Sequence, residues 1–292
     1  MCQHLMKKVF QQMYHTAPEK ASDALIADIQ RAVVRLRESY RIRGTGAPCV
    51  SGYHEDAVRR AYMLAYYPSY VLPMQRVVRD YVVAELGGRE ALSLAFFSAG
   101  PCPEFYGALR ALRGSHVDVP VRASLYDVEP AWREQQEFTA GLCAEELLLR
   151  HGQDELRRFA RCHNERPCAA CQKGGVCPTL RTADLLVLQN YLTHTRAEDA
   201  LPALRERLAQ VKRGAICAIL DLSYAEPKKV LASLATEPPQ GFRVLGTNLY
   251  DGPSIERRPF PMPPALRRVF TGQGMLQAKQ VTQYFFLVLK KA

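Results

Sequence analysis

No apolar run in this 292-residue chain approaches membrane-spanning length, so no transmembrane helix is expected. The stretch from Met1 to Lys20 is polar and mixed, without a secretory apolar segment, which implies an intracellular, cytoplasmic protein with no membrane partner. Internal repeats and low-complexity tracts are also absent, which excludes a repeat architecture. Tryptophan occurs once, at Trp132. Acidic residues are in deficit, 29 against 39 Lys and Arg, and the resulting +10 favours phosphate-rich partners such as RNA or a ribonucleoprotein. The basic residues form no dense tail: Arg31, Arg35, Arg37, Arg41 and Arg43 lie early, Arg157, Arg158 and Arg161 centrally, Arg257, Arg258, Arg267 and Arg268 late. Nine cysteines, an odd number with no signal peptide, argue against a disulfide scaffold and for thiols or metal ligation.

What is present is a chain that is 48% hydrophobic, enough for a sizeable core, organised around residues 92 to 112. Leu92 to Phe97 is a short apolar run of strand length, of the kind buried on both sheet faces. Ser98, Gly100, Pro101 and Pro103 then supply turn chemistry, and from Glu104 the apolar Phe105, Ala108, Leu109 and Leu112 recur at helical spacing. Such a strand, turn and helix places helix N-terminal amides at the end of a parallel strand, where a nucleotide-like ligand can rest. Val121 to Tyr126 is a second strand ending in Asp127, and an acid at that offset suits the vicinal hydroxyls of a ribose.

Three segments, Ser98-Ala99-Gly100-Pro101-Cys102-Pro103-Glu104, Tyr126-Asp127-Val128-Glu129-Pro130-Ala131-Trp132 and Asp184 to Tyr191, together resemble motifs I, II and IV of the class I S-adenosylmethionine-dependent methyltransferases. The resemblance covers roughly residues 55 to 292. It implies a Rossmann-like α/β fold with a seven-stranded sheet whose final strand is inserted antiparallel. It also implies that Ser98, Ala99, Gly100, Pro101 and Glu104 face the methionine portion of S-adenosylmethionine, Asp127 the ribose and Val128 the adenine. Gln189, Asn190 and Tyr191 would then face the reacting methyl group as the catalytic positions. The turn keeps one glycine, Gly100, with Ser98 and Cys102 in glycine-like positions and Phe96 where an acid usually stands. Gln189 to Tyr191 do not spell the Asn-Pro-Pro-Tyr or Asp-Pro-Pro-Tyr pattern that holds an exocyclic amine. A weaker similarity, to methyltransferase-like proteins associated with the small ribosomal subunit, is carried by Ala61-Tyr62-Met63-Leu64-Ala65-Tyr66-Tyr67-Pro68-Ser69-Tyr70; packing aromatics over a sheet edge is the alternative.

Four cysteines, Cys162, Cys168, Cys171 and Cys177, fall within 16 residues at C-x5-C-x2-C-x5-C spacing, and Gly174 with Gly175 lets the chain reverse around them. This suits tetrahedral zinc or an iron–sulfur cluster, in a structural role, since four thiolates leave no open position.

Elsewhere, an amphipathic helix is predicted over 22–42, capped by Ser22 or Asp23, and others over 54–66 and 74–86, with Pro68 and Pro73 as punctuation. Trp132 to Leu149 and Leu201 to Val211 read as helices, and Asp184 to Leu188, Ala215 to Leu222, Phe242 to Leu249 and Val281 to Lys290 as strands. Trp132 borders an adenine pocket or is core, and His194 is a general base or a helix-surface residue. The organisation expected is an N-terminal helical extension, 1–88, and a methyltransferase-like domain, 89–292. The latter includes the Cys-rich module, 161–178, and a Pro- and Arg-rich insertion, 250–280, assigned to substrate or partner contact, with an edge-covering loop as the alternative. Two functions follow: an enzyme transferring methyl to RNA, a ribonucleoprotein, a small molecule or a protein, or an inactive, metal-stabilised RNA-binding or assembly factor on the same fold.

Overall fold

Five apolar residues at helical spacing, Leu5, Met6, Val9, Phe10 and Met13, turn the mixed N-terminal segment into a helix, α1 (Cys2–Tyr14), whose apolar side is buried. The computed structural model describes residues 2–40, 52–127, 129–151, 178–257, 263–270, 278–279 and 281–292. Helix α2 (Asp23–Ser39) starts as expected, with Ser22 Oγ accepting the Leu25 amide at 3.2 Å. Helix α3 (Asp56–Ala65) is followed at once by α4 (Tyr67–Val77), which runs through a π-helical turn, Val78–Val82, into α5 (Val83–Leu86).

The helix expected to begin at Met74 therefore begins at Tyr67. Pro68 sits in the first turn, where no amide donor is missed, and Pro73 lies inside the helix rather than ending it.

The central layer is a seven-stranded sheet: β1 (Leu92–Phe97), β2 (Val121–Tyr126), β3 (Leu185–Gln189), β4 (Ile216–Leu222), β5 (Phe242–Thr247), β6 (Ser254–Arg257) and β7 (Val281–Lys291). The spatial order is β2-β1-β3-β4-β7-β5. The first four strands are parallel, and β7 is antiparallel to both β4 and β5, as the resemblance implied. Tyr284 of β7 pairs with Leu222 on one side and Ser254 on the other, so β5 and β6 are successive segments of one sheet edge. The seventh strand was expected without a position; it lies in the Pro- and Arg-rich insertion, which also contributes a short helix.

Helices α6 (Pro103–Gly114), α7 (Arg133–His151), α8 (Pro178–Thr182), α9 (Ala197–Gln210), α10 (Ala225–Thr236) and α11 (Pro264–Phe270) complete the order. Alternate strand residues face opposite ways: Leu94, Phe96 and Val187 join a cluster with α1 to α6, while Ala95, Leu186 and Leu188 join one with α8, α9 and α10. On the first face α4 crosses α6 so closely that a Cβ on Gly107 would lie 2.3 Å from the Val71 carbonyl oxygen.

Because β1 has β2 on one side and β3 on the other, the chain changes direction across the sheet after β2. The carboxyl ends of β1, β2 and β3 thus frame a crevice, the position at which parallel sheets bind ligands.

Candidate functional site

A cleft of about 470 Å³ opens at that crevice. The turn after β1 forms its floor, with Ser98, Gly100 and Cys102 at φ of 53°, 48° and 58°. Ser98 and Cys102 thus take up, as ordinary L-residues, the left-handed conformations that glycine adopts without steric cost.

The turn is held from two sides. Asp127 accepts the Gly100 amide on Oδ2 at 2.6 Å and the Glu129 amide on Oδ1 at 2.9 Å. From α7, Gln136 Nε2 donates to the Gly100 carbonyl at 2.9 Å and Thr139 Oγ1 to the Pro101 carbonyl at 2.6 Å. Ala99, Pro101, Pro103 and Glu104 complete the floor.

Asp127, expected from its place at the end of β2, does line the cleft; Val128 lies outside the described residues. Glu129 lines it too, and its Oε1 accepts the Ala131 amide at 2.9 Å, starting the 3-10 turn Pro130–Trp132. Glu104, in the first turn of α6, is 2% exposed, and burial raises its carboxyl from the usual range to about 8, with nearby Asp127 adding to the rise.

At the end of β3, Gln189 is buried, and its Nε2 donates to the Tyr70 carbonyl at 2.9 Å. Its Oε1 is also buried and has no hydrogen-bond partner among the described residues. Asn190 takes a left-handed φ of 59°, and Asn190 and Tyr191 face the same cleft as Asp127. All three positions chosen as catalytic therefore meet the turn residues in one cavity.

The loop after β3 is fixed by Asp221, near the end of β4. This buried carboxylate accepts the amides of Leu192 at 2.6 Å, Thr193 at 3.3 Å and Leu222 at 2.8 Å, and a hydrogen bond from the Thr193 hydroxyl. Burial pushes its pKa up to about 6 while these bonds oppose the rise. Sequence reasoning placed Asp221 only as a strand end; an acid inside the apolar run 216–222 was the available signal.

Aromatic rings make one wall. Tyr53 lies 4.8 Å from Trp132 and 5.8 Å from Tyr62, and Tyr62 lies 5.5 Å from Trp132, centroid to centroid. Trp132 is 2% exposed and lines the cleft. In the aromatic segment before β1, Tyr62, Tyr66 and Tyr70 stack in succession at 5.6 and 6.1 Å, and Tyr62 faces the cavity. His194 ends a 3-10 turn, lines the cleft and lies 5.9 Å from Tyr40 and 6.2 Å from Tyr53. Tyr53 and Tyr62 were missed as site residues.

Cys162, Cys168, Cys171 and Cys177 lie outside the described residues. Among the described residues, no group of three or more His, Cys, Asp or Glu is arranged to hold a metal ion, and no helix is long and apolar enough to cross a membrane.

No family model matches the sequence, and no curated protein matches it. Among solved structures, the chain is similar to an O-methyltransferase family protein from Burkholderia thailandensis, at 16% identity and TM-score 0.47, covering 94% of this chain and 74% of that one. It is also similar to a class I S-adenosylmethionine-dependent methyltransferase from Listeria monocytogenes, at 12% identity and TM-score 0.44, covering 99% and 88%. A third likeness, to the plantazolicin methyltransferase BpumL in complex with SAH, has 7% identity and TM-score 0.38 over 100% and 96%.

Proposed function

We propose that the cleft binds S-adenosylmethionine and that the chain is a methyltransferase using it. The observation that carries this is the convergence, at the switch point of a parallel sheet, of a left-handed turn after β1, an acid after β2 and the Gln189 to Tyr191 segment after β3. In this reading the turn from Ser98 to Pro101 meets the methionine portion, Asp127 the ribose and the Trp132 side of the cleft the adenine. Gln189 Oε1, buried without a partner among the described residues, supplies an acceptor for a ligand N–H.

When bound, the cofactor supplies an electrophilic methyl group on a sulfonium. The chain's own contribution is geometric: Asn190, Tyr191 and the Asp221-pinned loop hold the acceptor against the floor, so that proximity and orientation lower the barrier. His194, in the same cleft, is positioned to take a proton from an acceptor hydroxyl or amine.

An RNA or ribonucleoprotein acceptor is favoured by the +10 charge, and steep loss of RNA affinity with added salt is the outcome expected of it. Zinc or an iron–sulfur cluster on Cys162, Cys168, Cys171 and Cys177 is proposed from the donor chemistry alone, as a structural element. The alternative, an inactive assembly factor, rests on the single glycine of the turn; that Ser98 and Cys102 adopt glycine's conformation weighs against it.

The deciding experiment is calorimetric titration with S-adenosylmethionine and its demethylated product, alongside Asp127→Ala. Micromolar binding lost in the variant is expected; a wild-type protein that binds neither ligand sinks the proposal.

A further inference from the structure

Around the carboxyl end of the sheet, several basic side chains are held by acids: Arg76 by Glu256 at 3.0 Å, Arg205 by Glu237 at 3.5 Å and Lys229 by Glu226 at 2.6 Å. Three others are not. The side chains of Arg207 in α9, Lys228 in α10 and Arg257 in β6 have no carboxylate or hydrogen-bond partner among the described residues. Two of them rest on rings instead: Arg207 lies 5.2 Å from the Phe97 centroid and 5.6 Å from that of Tyr191, and Lys228 lies 5.1 Å from that of Phe285. Arg207 Nη1 is buried with its N–H unanswered among the described residues, a cost that an incoming oxyanion removes.

The three cations share one face and one end of the sheet. Phe97, Tyr191 and Phe285 pack into the cluster under α8, α9 and α10. Val281 and Gln283 alternate in step with Phe285, and they pair with Arg257 and Ile255, so all four belong to that same face. Ile255 and Val281 are exposed, and no helix covers the sheet there among the described residues. Phe97 ends β1, Tyr191 follows β3, and Leu222 at the end of β4 pairs with Tyr284, so the row lies where the cleft opens. It runs from Tyr191, which lines the cleft, outward to β6 at the sheet edge.

Two exposed rings accompany it. Tyr224, after β4, is 46% exposed, and Tyr250, in the turn joining β5 to β6, is 73% exposed. Unpaired cations alone suit any polyanion, but exposed rings beside them suit unstacked bases, which a single strand offers and a duplex hides. The cleft itself is lined, among the described residues, by Glu104, Asp127 and Glu129 and by no lysine or arginine, so it leaves phosphates outside.

Resting on the RNA-acceptor reading above, we propose that this row is the track along which a single RNA strand reaches the cleft. Arg207, Lys228 and Arg257 take its phosphates, and Tyr224 and Tyr250 stack its bases.

The test uses the full chain and a fluorescently labelled, unstructured oligouridylate, free or annealed to its complement, followed by anisotropy over a range of salt concentrations. The triple variant Arg207→Gln, Lys228→Gln, Arg257→Gln should bind the strand roughly a hundredfold more weakly at about 0.1 M salt. Its slope of log affinity against log salt should be shallower by about 2, since each phosphate contact on a single strand contributes about 0.7. A control with the same loss of charge, Lys7→Gln, Arg31→Gln, Arg243→Gln, removes exposed cations that acids already hold, and should bind nearly as wild type. Tyr224→Ala and Tyr250→Ala should each weaken binding about fivefold or more with the slope unchanged, and wild type should prefer the strand to the duplex. Thermal transitions check that each variant is folded. Equal losses in the triple variant and the control overturn the track. Unchanged binding in both tyrosine variants, with the duplex bound as well as the strand, overturns the single-strand assignment. A dimer in sedimentation that the tyrosine variants break, with RNA affinity unchanged, gives the face to a second copy of the chain and overturns the proposal. A wild type that binds no RNA overturns the RNA reading and the track together, while calorimetry of the same sample with S-adenosylmethionine decides the donor reading separately.

Discussion

The carboxylate of Asp127 accepts the amide of Gly100 at 2.6 Å, across 27 residues of sequence, and so ties the end of β2 to the turn after β1. With its other oxygen it holds the Glu129 amide. One acid therefore sets the shape of the cleft floor as well as facing the cavity. Hydrogen bonds from amides to a charged acceptor each contribute roughly 1.5–3 kcal/mol. Asp127→Asn, which keeps the size but loses the charge and one acceptor, should lower stability by about 2 kcal/mol in denaturant unfolding. Stability equal to wild type would mean that the clamp contributes nothing to the fold.

The three left-handed residues of the turn make opposite predictions for opposite substitutions. Ser98 at φ 53° carries a steric cost of about 1–2 kcal/mol that glycine avoids, offset by the greater freedom glycine adds to the unfolded chain. Ser98→Gly should therefore raise the melting temperature slightly, by the equivalent of about 0.5–1 kcal/mol. At Gly100 an added Cβ would meet the Trp132 ring at 3.7 Å, an ordinary contact, so Gly100→Ala should lose only the conformational term, about 1–2 kcal/mol. A stabilising Gly100→Ala would contradict the left-handed turn.

Helix α4 presses its backbone onto α6 at Gly107, where a Cβ would stand 2.3 Å from the Val71 carbonyl oxygen and 3.1 Å from the Gln75 amide nitrogen. Within a helix, glycine to alanine normally gains about 1 kcal/mol. Here the backbones would have to separate, so Gly107→Ala should cost about 3 kcal/mol or more in thermal or chemical unfolding. A neutral or stabilising result would show that α4 and α6 do not cross at this point.

How much of this was legible follows from the range of the interactions. Leu92–Phe97 and Val121–Tyr126 appear as read, because an apolar run bounded by turn residues is a local signal, enforced by burial on both faces in the first and on the face of Val121, Ala123 and Leu125 in the second. Asp127 and the Gln189 to Tyr191 segment were legible for the same reason, as polar residues at the ends of such runs. Helix α10 was not, since Pro227, Lys228 and Lys229 mask the buried Val230, Leu231 and Leu234. Nor was the length of α4, where Pro73 is carried inside the helix. The aromatic wall joins Tyr53, Tyr62 and Trp132 from segments far apart in sequence, and no spacing rule brings those together. The role of Asp221 likewise needs the loop that it pins.

Glu104 also makes a prediction without any ligand. Its carboxyl titrates near 8 in the folded cleft against 4.5 as an ordinary glutamate, so between these values the native state binds more protons than the unfolded chain. Stability from this group is then greatest below about pH 4.5 and is lost as pH rises towards 8. Glu104→Gln has no such slope: its stability should match wild type near pH 4.5 and exceed it by a few kcal/mol above pH 8. Asp221, raised to about 6, tilts the wild-type curve the same way in a lower window, and Lys279, lowered to about 8 by burial, tilts it oppositely at higher pH. Both residues are present in each protein, so they cancel in the difference between the two curves. Denaturant unfolding of wild type and variant at pH 5 and pH 8.5 measures that difference directly. Parallel curves with no divergence at pH 8.5 would mean that Glu104 ionises freely in the folded cleft, whereas divergence would show that burial holds its proton.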